Sequence, residues 1–347
     1  MPVFRFVVAL VIAALVGGSF SVGGFAAQSA ECGGEWPSGT IQIMAPAGPG
    51  GGWDTTAREM QQVLDTEVLD ESVEVFNVEG AGGTVGLAQL VNELADDEST
   101  LMMMGLVMVG AIALNQADVS LDDVTPIARL TTEYEVVVVP ADSEYQTLDD
   151  LIAAFQADPA SISWAGGSAG GTDHILVGLI AQAVEVDPTQ INYVAYSGGG
   201  EALAAILGGQ VSAGVSGLGE WQAQLETGEL RALAISAGAA DSATPEAGAT
   251  ASPAAGGLDI PTLQEQGVDV ALANWRGLVA PPEISDEVRD CMIATVEEMV
   301  GTEAWGDVLD QYGWEDFFLP GDEYGTFLGE ERDRVIGILT ELQLIES

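Results

Sequence analysis

The sequence predicts an α/β protein built as two similar lobes, and three observations predict it. Strand and helix signals alternate in two successive series, the order expected of parallel sheets with covering helices. Four glycine-rich turns stand between a strand and a helix, at 45–54, 78–85, 164–174 and 196–201. Apolar residues make up 48% of the 347 residues, enough to fill the cores of two domains of ordinary size.

The first series opens at 41–60, IQIMAPAGPGGGWDTTAREM. Residues 41–45 read as a short apolar strand, and the turn after them is too rich in glycine to hold side chains. A helix opens at Asp54 or Thr55, both good N-cap residues, and Arg58, Met60 and Val63 continue at helical spacing. An alternating strand at 72–78 leads into the GAGGT turn, a helix over 85–95 and a buried strand at 101–105. The apolar stretch 106–114 predicts a helix. Residues 124–130 and 135–139 predict two strands, closed by Pro140, with a helix at 148–155.

The second series runs through strand 162–165, a glycine loop, helix 175–184, strand 191–195, a second glycine loop, helix 202–207 and strand 211–215. Helix 221–225 and strand 231–235 complete it. Residues 237–257 are rich in Ala, Gly, Ser, Thr and Pro with no apolar period, which predicts a flexible surface loop. A short helix is expected at 260–263 and an extended segment at 268–279. Helices 286–300 and 322–342 end the chain, with Trp305, Trp314, Phe317 and Phe318 between them as core.

A strand end, a glycine turn and a helix N-terminus together aim bare backbone N–H groups at whatever lies in front of them, with the positive helix end behind. Such a place binds anions. Ligands of parallel α/β sheets lie at the carboxyl ends of the strands, so a cleft between the two lobes is the expected site.

The first 30 residues predict a secretory signal: Arg5, the apolar run 6–16, and small residues through Ala30. The apolar run is too short to span a bilayer comfortably. Cleavage after Ala26 and cleavage after Ser29 both fit. Cys32 stands where a lipid-anchored receptor carries its lipidated cysteine, although Glu31 occupies a position that should be small. In an oxidising compartment Cys32 either pairs with Cys291 or leaves it a buried thiol. No later segment has 18 unbroken apolar residues, so a soluble mature protein is expected.

The chain carries 54 acidic residues against 8 basic ones, all of them arginine, for a net charge of −46. Such a field excludes nucleic acid and anionic membrane surfaces as partners. It suits a solvated surface in salty surroundings, where a Debye length of roughly 3 Å at 1 M salt leaves a buried anion site free to work.

The inventory for catalysis is thin. Gly166-Gly167-Ser168-Ala169-Gly170 matches the G-x-S-x-G elbow of serine hydrolases, but the only histidine, His174, lies on the same loop rather than on another segment. A P-loop needs a lysine, and the dinucleotide-binding glycine fingerprint is met neither at 48–53 nor at 80–86. One histidine and two distant cysteines make no transition-metal cluster, and the carboxylates never take the spacing of a calcium loop. A binder, without cofactor or metal, remains. With so few cations a carboxylate ligand would be held mainly by backbone N–H groups, water and the hydroxyls of Thr55, Thr84, Ser168, Thr172 and Ser197, each of which also suits a plain N-cap or turn role.

Taken together, PxGPGGGxD at 46–54, GAGGTVG at 80–86 and GGSAGGTDH at 166–174 resemble the solute receptors of tripartite tricarboxylate transporters, the Bug family. YSGGGEALAAILGGQVSAGVSG at 196–217, IPTLQEQG at 260–267 and NWRGLVAP at 274–281 extend the resemblance over about 41–344 in the family's order. It implies a two-lobed fold like that of periplasmic binding proteins, lobes joined by crossing strands (36–136 with 277–347, and 137–276), and a carboxylate held in the cleft between them. The implied ligand is a citrate-like tricarboxylate or a dicarboxylate, gripped by Gly50, Gly51, Gly52, Asp54 and Thr55, by Gly82, Gly83 and Thr84, by Ser168, Gly170, Gly171, Thr172 and His174, and by Ser197 and Gly198. The implied partners are the integral membrane subunits of the transporter, on the outer side of the cytoplasmic membrane. The resemblance leaves a transport receptor and an exported sensory or hydrolytic domain of the same fold as the two readings. The long segment at 237–257 and the absence of lysine depart from the family pattern.

Overall fold

The computed structural model describes residues 36–238 and 258–346. The expected signal at 1–30, Cys32, and residues 239–257 of the expected loop therefore lie outside the described residues. At the start of that loop Ala237 is buried in a hydrophobic cluster rather than exposed. Cys291 is disulfide-bonded rather than free, and the sequence holds one other cysteine, Cys32.

The first series forms β1 (Ile41–Ala45), α1 (Gly52–Val63), β2 (Val73–Asn77), α2 (Thr84–Glu93), β3 (Thr100–Gly105) and α3 (Leu106–Asn115). Strand β3 lies beside β1, which lies beside β2, all parallel. All six residues of β3 are buried, as a strand covered on both faces requires, and that is why TLMMMG reads as one apolar run. The helix after β1 starts two residues before Asp54, with Gly51 as its N-cap and no side-chain cap.

The two strands expected at 124–130 and 135–139 are one strand, β4 (Thr125–Pro140). The polar run Thr131-Thr132-Glu133-Tyr134-Glu135 breaks the apolar pattern, yet Thr131 and Glu135 are fully buried and Thr132 and Glu133 are 2% exposed. Polar character there marks a site, not the end of the strand.

The second series gives α4 (Leu148–Ala157), β5 (Ser163–Gly166), α5 (Thr172–Ala183), β6 (Asn192–Ala195), α6 (Gly199–Leu207), β7 (Ala213–Gly217), α7 (Leu218–Glu226) and β8 (Leu230–Ile235). Strands β5, β6 and β7 are parallel, while β7 and β8 run antiparallel to β4. The chain then returns through β9 (Ala273–Ala280), which lies between β3 and β4 and antiparallel to both. The strand order is β2-β1-β3-β9-β4-β7-β5-β6.

No helix forms at 260–263. Ile235 donates to the Pro261 carbonyl and the Leu263 N–H donates to the Ile235 carbonyl, both at 3.0 Å, so this segment extends the pairing of β8 instead. The chain ends in α8 (Asp286–Val300), α9 (Glu303–Tyr312), β10 (Glu315–Pro320) and α10 (Gly321–Glu341). Helix α9 and strand β10, which pairs with β4, are additions to the expected pattern. Trp305 and Trp314 are buried as expected, and the Arg129 guanidinium lies 3.4 Å over the half-buried ring of Phe317.

Strand β4 is thus the seam of the molecule. Residues Thr125 to Tyr134 pair with β9 in one sheet, and from Glu135 onward the strand pairs with β7 and β8 in the other. Leu278 on β9 is fully buried between β3 and β4. Leu278→Ala is expected to destabilise the fold by about 2–5 kcal/mol, the usual range for such a truncation, read from the shift of the chemical-denaturation midpoint.

Candidate functional site

A cleft of about 290 Å³ opens where the sheets exchange on β4. Four helices begin at it. The N-caps of α1, α2, α6 and α7 are Gly51, Gly83, Gly198 and Gly217, and all four glycines line the cleft. None of these helices has an N-cap side chain bonded to its first-turn amides; at α6 the Gly199 N–H instead meets the carboxylate of Glu220 from the start of α7. By contrast, α4, α8 and α9 are capped by the hydroxyls of Thr147, Ser285 and Thr302. The orphan amides of a helix start need a partner, and uncapped starts gathered on one cavity present them, with four positive helix ends, to whatever occupies it.

Among the residues expected at the site, Gly51, Gly52, Gly82, Gly83, Ser168, Ser197 and Gly198 line the cleft. All four glycine-rich turns thus contribute to one cavity. Gly50, Asp54, Thr55, Thr84, Gly170, Gly171, Thr172 and His174 stand outside the lining, and the contacts of several show what they do instead. Asp54 is 3% exposed and holds its own turn together: Oδ2 accepts the Gly50 N–H at 2.8 Å, Oδ1 accepts from Asn77 at 2.8 Å, and Arg58 bridges to it at 2.8 Å. Those donors hold its carboxyl below the usual range against the opposing effect of burial.

Thr84 donates to the Ala81 carbonyl at 3.0 Å, and Thr172 donates to Asn274 Oδ1 at 3.2 Å, which orients a side chain that does line the cleft. His174 stacks on Tyr193 with 4.2 Å between ring centroids, and its Nδ1 accepts the Gly170 N–H at 3.1 Å. Burial lowers its pKa to about 4, so it is a neutral brace for the loop. Ser197 faces the cleft while its hydroxyl donates to Glu201 at 2.7 Å.

The expectation that backbone amides, hydroxyls and water are the main wall of the site needs a correction. Glu79, Asp173, Glu220 and Arg276 all line the cleft, with Ser216, Asn274 and Trp53. Directly behind them, Glu133 and Glu135 project from alternate positions of β4, on one face of the sheet. Arg276 pairs with Glu133, and both are buried. Its guanidinium also donates to Thr56 Oγ1 at 3.4 Å and lies 4.9 Å over the Trp314 ring, whose indole N–H bonds Glu133. Burial raises Asp173 to about 6 and Glu220 to about 8, and pushes Glu135 well above the ordinary carboxylate range, with its acidic neighbours adding to the rise. Arg276 lies inside NWRGLVAP, and Glu220 stands three residues past the motif at 196–217, so a signal was present for the first but carried no sign of which side chains face inward.

Comparison with known proteins places this geometry. The sequence profile of the tripartite tricarboxylate transporter family receptors matches residues 56–344. BugT of Bordetella pertussis is 25% identical over 314 residues, covering 88% of this chain and 90% of that protein. In structure, the periplasmic binding protein BugD superposes with a TM-score of 0.76 at 19% identity, over 89% of this chain and 99% of that one. MatC of Rhodopseudomonas palustris with bound malate superposes with a TM-score of 0.72 at 23% identity, over 88% of this chain and 100% of that one. The fold is the two-lobed α/β fold of such receptors, with crossing strands behind a cleft.

The cleft carboxyls leave a signature in the pH dependence of stability. Glu135 and Glu220 hold protons in the folded state at pH values where the unfolded chain has released them, so their contribution is full below the unfolded pKa and is lost as pH rises towards the folded one. His174 works the other way, but only below about 6.5. Between pH 6.5 and 8 the ligand-free protein is therefore expected to lose stability, by on the order of 1 kcal/mol per pH unit for each such carboxyl. Thermal melts across that window at fixed salt check it; a melting temperature that rises with pH would contradict the assignment.

Proposed function

This chain belongs to the tripartite tricarboxylate transporter receptor family, and we propose that it captures a small carboxylated organic anion in the cleft and delivers it to the integral membrane subunits of such a transporter. The single observation that carries the ligand class is the convergence of four helix starts, each capped by glycine alone, on one cavity. Backbone N–H groups at helix N-termini are suited to carboxylate oxygens, and a cavity of this size admits a molecule of a few carbon atoms. That the structural neighbour MatC holds malate supports a short dicarboxylate.

Binding without turnover is the reading the site supports. Ser168 faces the cleft, but the only histidine of the sequence keeps Nδ1 on the Gly170 amide and its ring on Tyr193. The exported location follows from the receptor role: a partner for membrane subunits must meet its solute outside. Among the described residues no helix is long and apolar enough to cross a membrane. The lobes we assign are 36–136 with 277–347, and 137–276; the exchange of pairing partners at Glu135 supports that division and makes the β4 and β9 crossings its hinge.

Calorimetric titration with succinate, malate and citrate at high salt tests the reading, and a protein that binds none of them would refute it. The first glycine loop gives a second test. Gly51 has an ordinary extended backbone, and a Cβ there would meet the Gly48 carbonyl at 3.4 Å and Ala47 at 3.8 Å, so the fold tolerates a side chain on this cleft-lining residue. Gly51→Leu is expected to keep its melting temperature within a few degrees of wild type while weakening dicarboxylate binding at least tenfold, because the new side chain occupies the place of the ligand. Unchanged affinity would remove the loop from the site.

A further inference from the structure

The charge inside the cleft does not match a ligand that is only an anion. Asp173 and Glu220 line it and are partly exposed to it, while Glu133 and Glu135 stand behind them. Against these four carboxyls stands one cation, Arg276, already paired with Glu133. Among the described residues the remaining three have no arginine beside them other than that one, although Asp173 accepts the Gly167 N–H and Glu220 the Gly199 N–H. Glu135 is fully buried and neither of its oxygens meets a hydrogen-bond donor. Its carboxyl lies against that of Asp173, so the pair is at rest only when it shares a proton or when something positive enters beside it.

Resting on the proposed carboxylate-receptor function, we infer that the ligand of this cleft carries an ammonium group as well as a carboxylate, with the ammonium seated at Glu220 and Asp173. The two charges have separate places. The carboxylate lies against the glycine-capped starts of α1, α2 and α6, and the ammonium lies on the floor formed by the start of α7, the first turn of α5 and the crossing of β4. Ser216 and Asn274, which line the same floor, offer further acceptors for ammonium N–H groups. The acidic side chains are spread along the floor rather than drawn to a point, and among the described residues no group of three is gathered to hold a metal ion. An organic cation on a short carboxylate, an amino acid in the broad sense, fits that distribution.

The groups that face Glu220 and Asp173 set the expected pH dependence. They are Glu133 and Glu135 on β4, Arg276 on β9 and the Tyr193 hydroxyl on β6, whose own pKa is raised by burial and by Asp173 and Glu135. In the empty cleft Glu220 holds its proton up to about pH 8. An ammonium takes the place of that proton, so its binding strengthens as pH rises from 6.5 to 8.5. A plain dicarboxylate gains a hydrogen bond from the protonated acid and is repelled by the ionised one, so its binding weakens over the same range.

Succinate and 2-aminosuccinate differ only by the ammonium group and form the test. Isothermal titration of the whole protein with each, at one high salt concentration and at pH 6.5 and 8.5, is expected to give 2-aminosuccinate at least a tenfold advantage at pH 8.5 and a smaller one at pH 6.5. Glu220→Gln, checked for its fold by circular dichroism, is expected to cut that advantage below threefold. Succinate binding as tightly as 2-aminosuccinate at pH 8.5, or an advantage untouched by Glu220→Gln, overturns the inference while leaving the carboxylate receptor standing. If a plain amine of the same length binds and neither carboxylate does, the carboxylate reading falls and the ammonium seat stands.

Discussion

The buried ion pair between Glu133 on β4 and Arg276 on β9 sits just before β4 leaves β9 for β7 and β8, and much of the cleft follows from it. Removing either partner would leave the other charge buried and uncompensated, which costs about 3–5 kcal/mol, so the pair holds the crossing in one arrangement. It also dictates its surroundings. A Cβ on Gly52 would sit 2.5 Å from an Arg276 nitrogen, and one on Gly217 would sit 2.6 Å from Glu133 Oε1. Two of the glycines at helix starts are therefore glycine because a charged pair lies under them, in addition to any approach of a ligand from above. Arginine suits this place because its planar fork reaches Glu133 and Thr56 while its face lies on Trp314.

The helix starts at the cleft share a local grammar. Gly51 is followed three residues later by Asp54, Gly198 by Glu201 and Gly217 by Glu220. In the first two, the acid folds back to the amide just before the N-cap, Gly50 or Ser197, which is half of a capping box with the N-cap side chain removed. The acid fixes the turn and complements the positive helix end, and the missing hydroxyl leaves the first-turn amides to face the cavity. At α7 the same acid, Glu220, reaches across to the Gly199 amide at the start of α6 and faces the cleft itself. One device thus serves as scaffold at two helices and as cavity wall at the third.

That grammar explains how far the sequence could be read. The βα order, the glycine turns and their meeting at one cavity were legible, because strand and helix periods and glycine clusters are local signals. The roles of particular side chains were not. Asp54 reads as an N-cap or a ligand, since both use a carboxylate beside a glycine turn, and only its burial and its bonds to Gly50, Arg58 and Asn77 show it bracing the loop. The sequence breaks β4 at 131–134 because buried polar residues in a strand look like a loop, and the cation that balances Glu133, Arg276, lies far away in sequence. Strand β10 was missed for a related reason: the acidic WEDFF segment has no clean alternation, and its place is set by pairing to β4 and by the Arg129 contact with Phe317.

The acidity of the chain as a whole and that of the cleft have different physical consequences. Most of the 54 acidic residues act through water, and salt screens them within a few ångströms at roughly molar concentration. Glu133 and Glu135 are buried, and Asp173 and Glu220 are only partly exposed, so salt screens their effect on a ligand much less than it screens the surface. Selection of the ligand then rests on a handful of fixed groups: uncapped helix starts that favour a carboxylate, and floor carboxyls that must be neutralised by a proton or by a bound cation. A surface so negative would otherwise repel every anion that approached in dilute salt. In concentrated salt the surface falls silent, and the cleft alone decides what enters it.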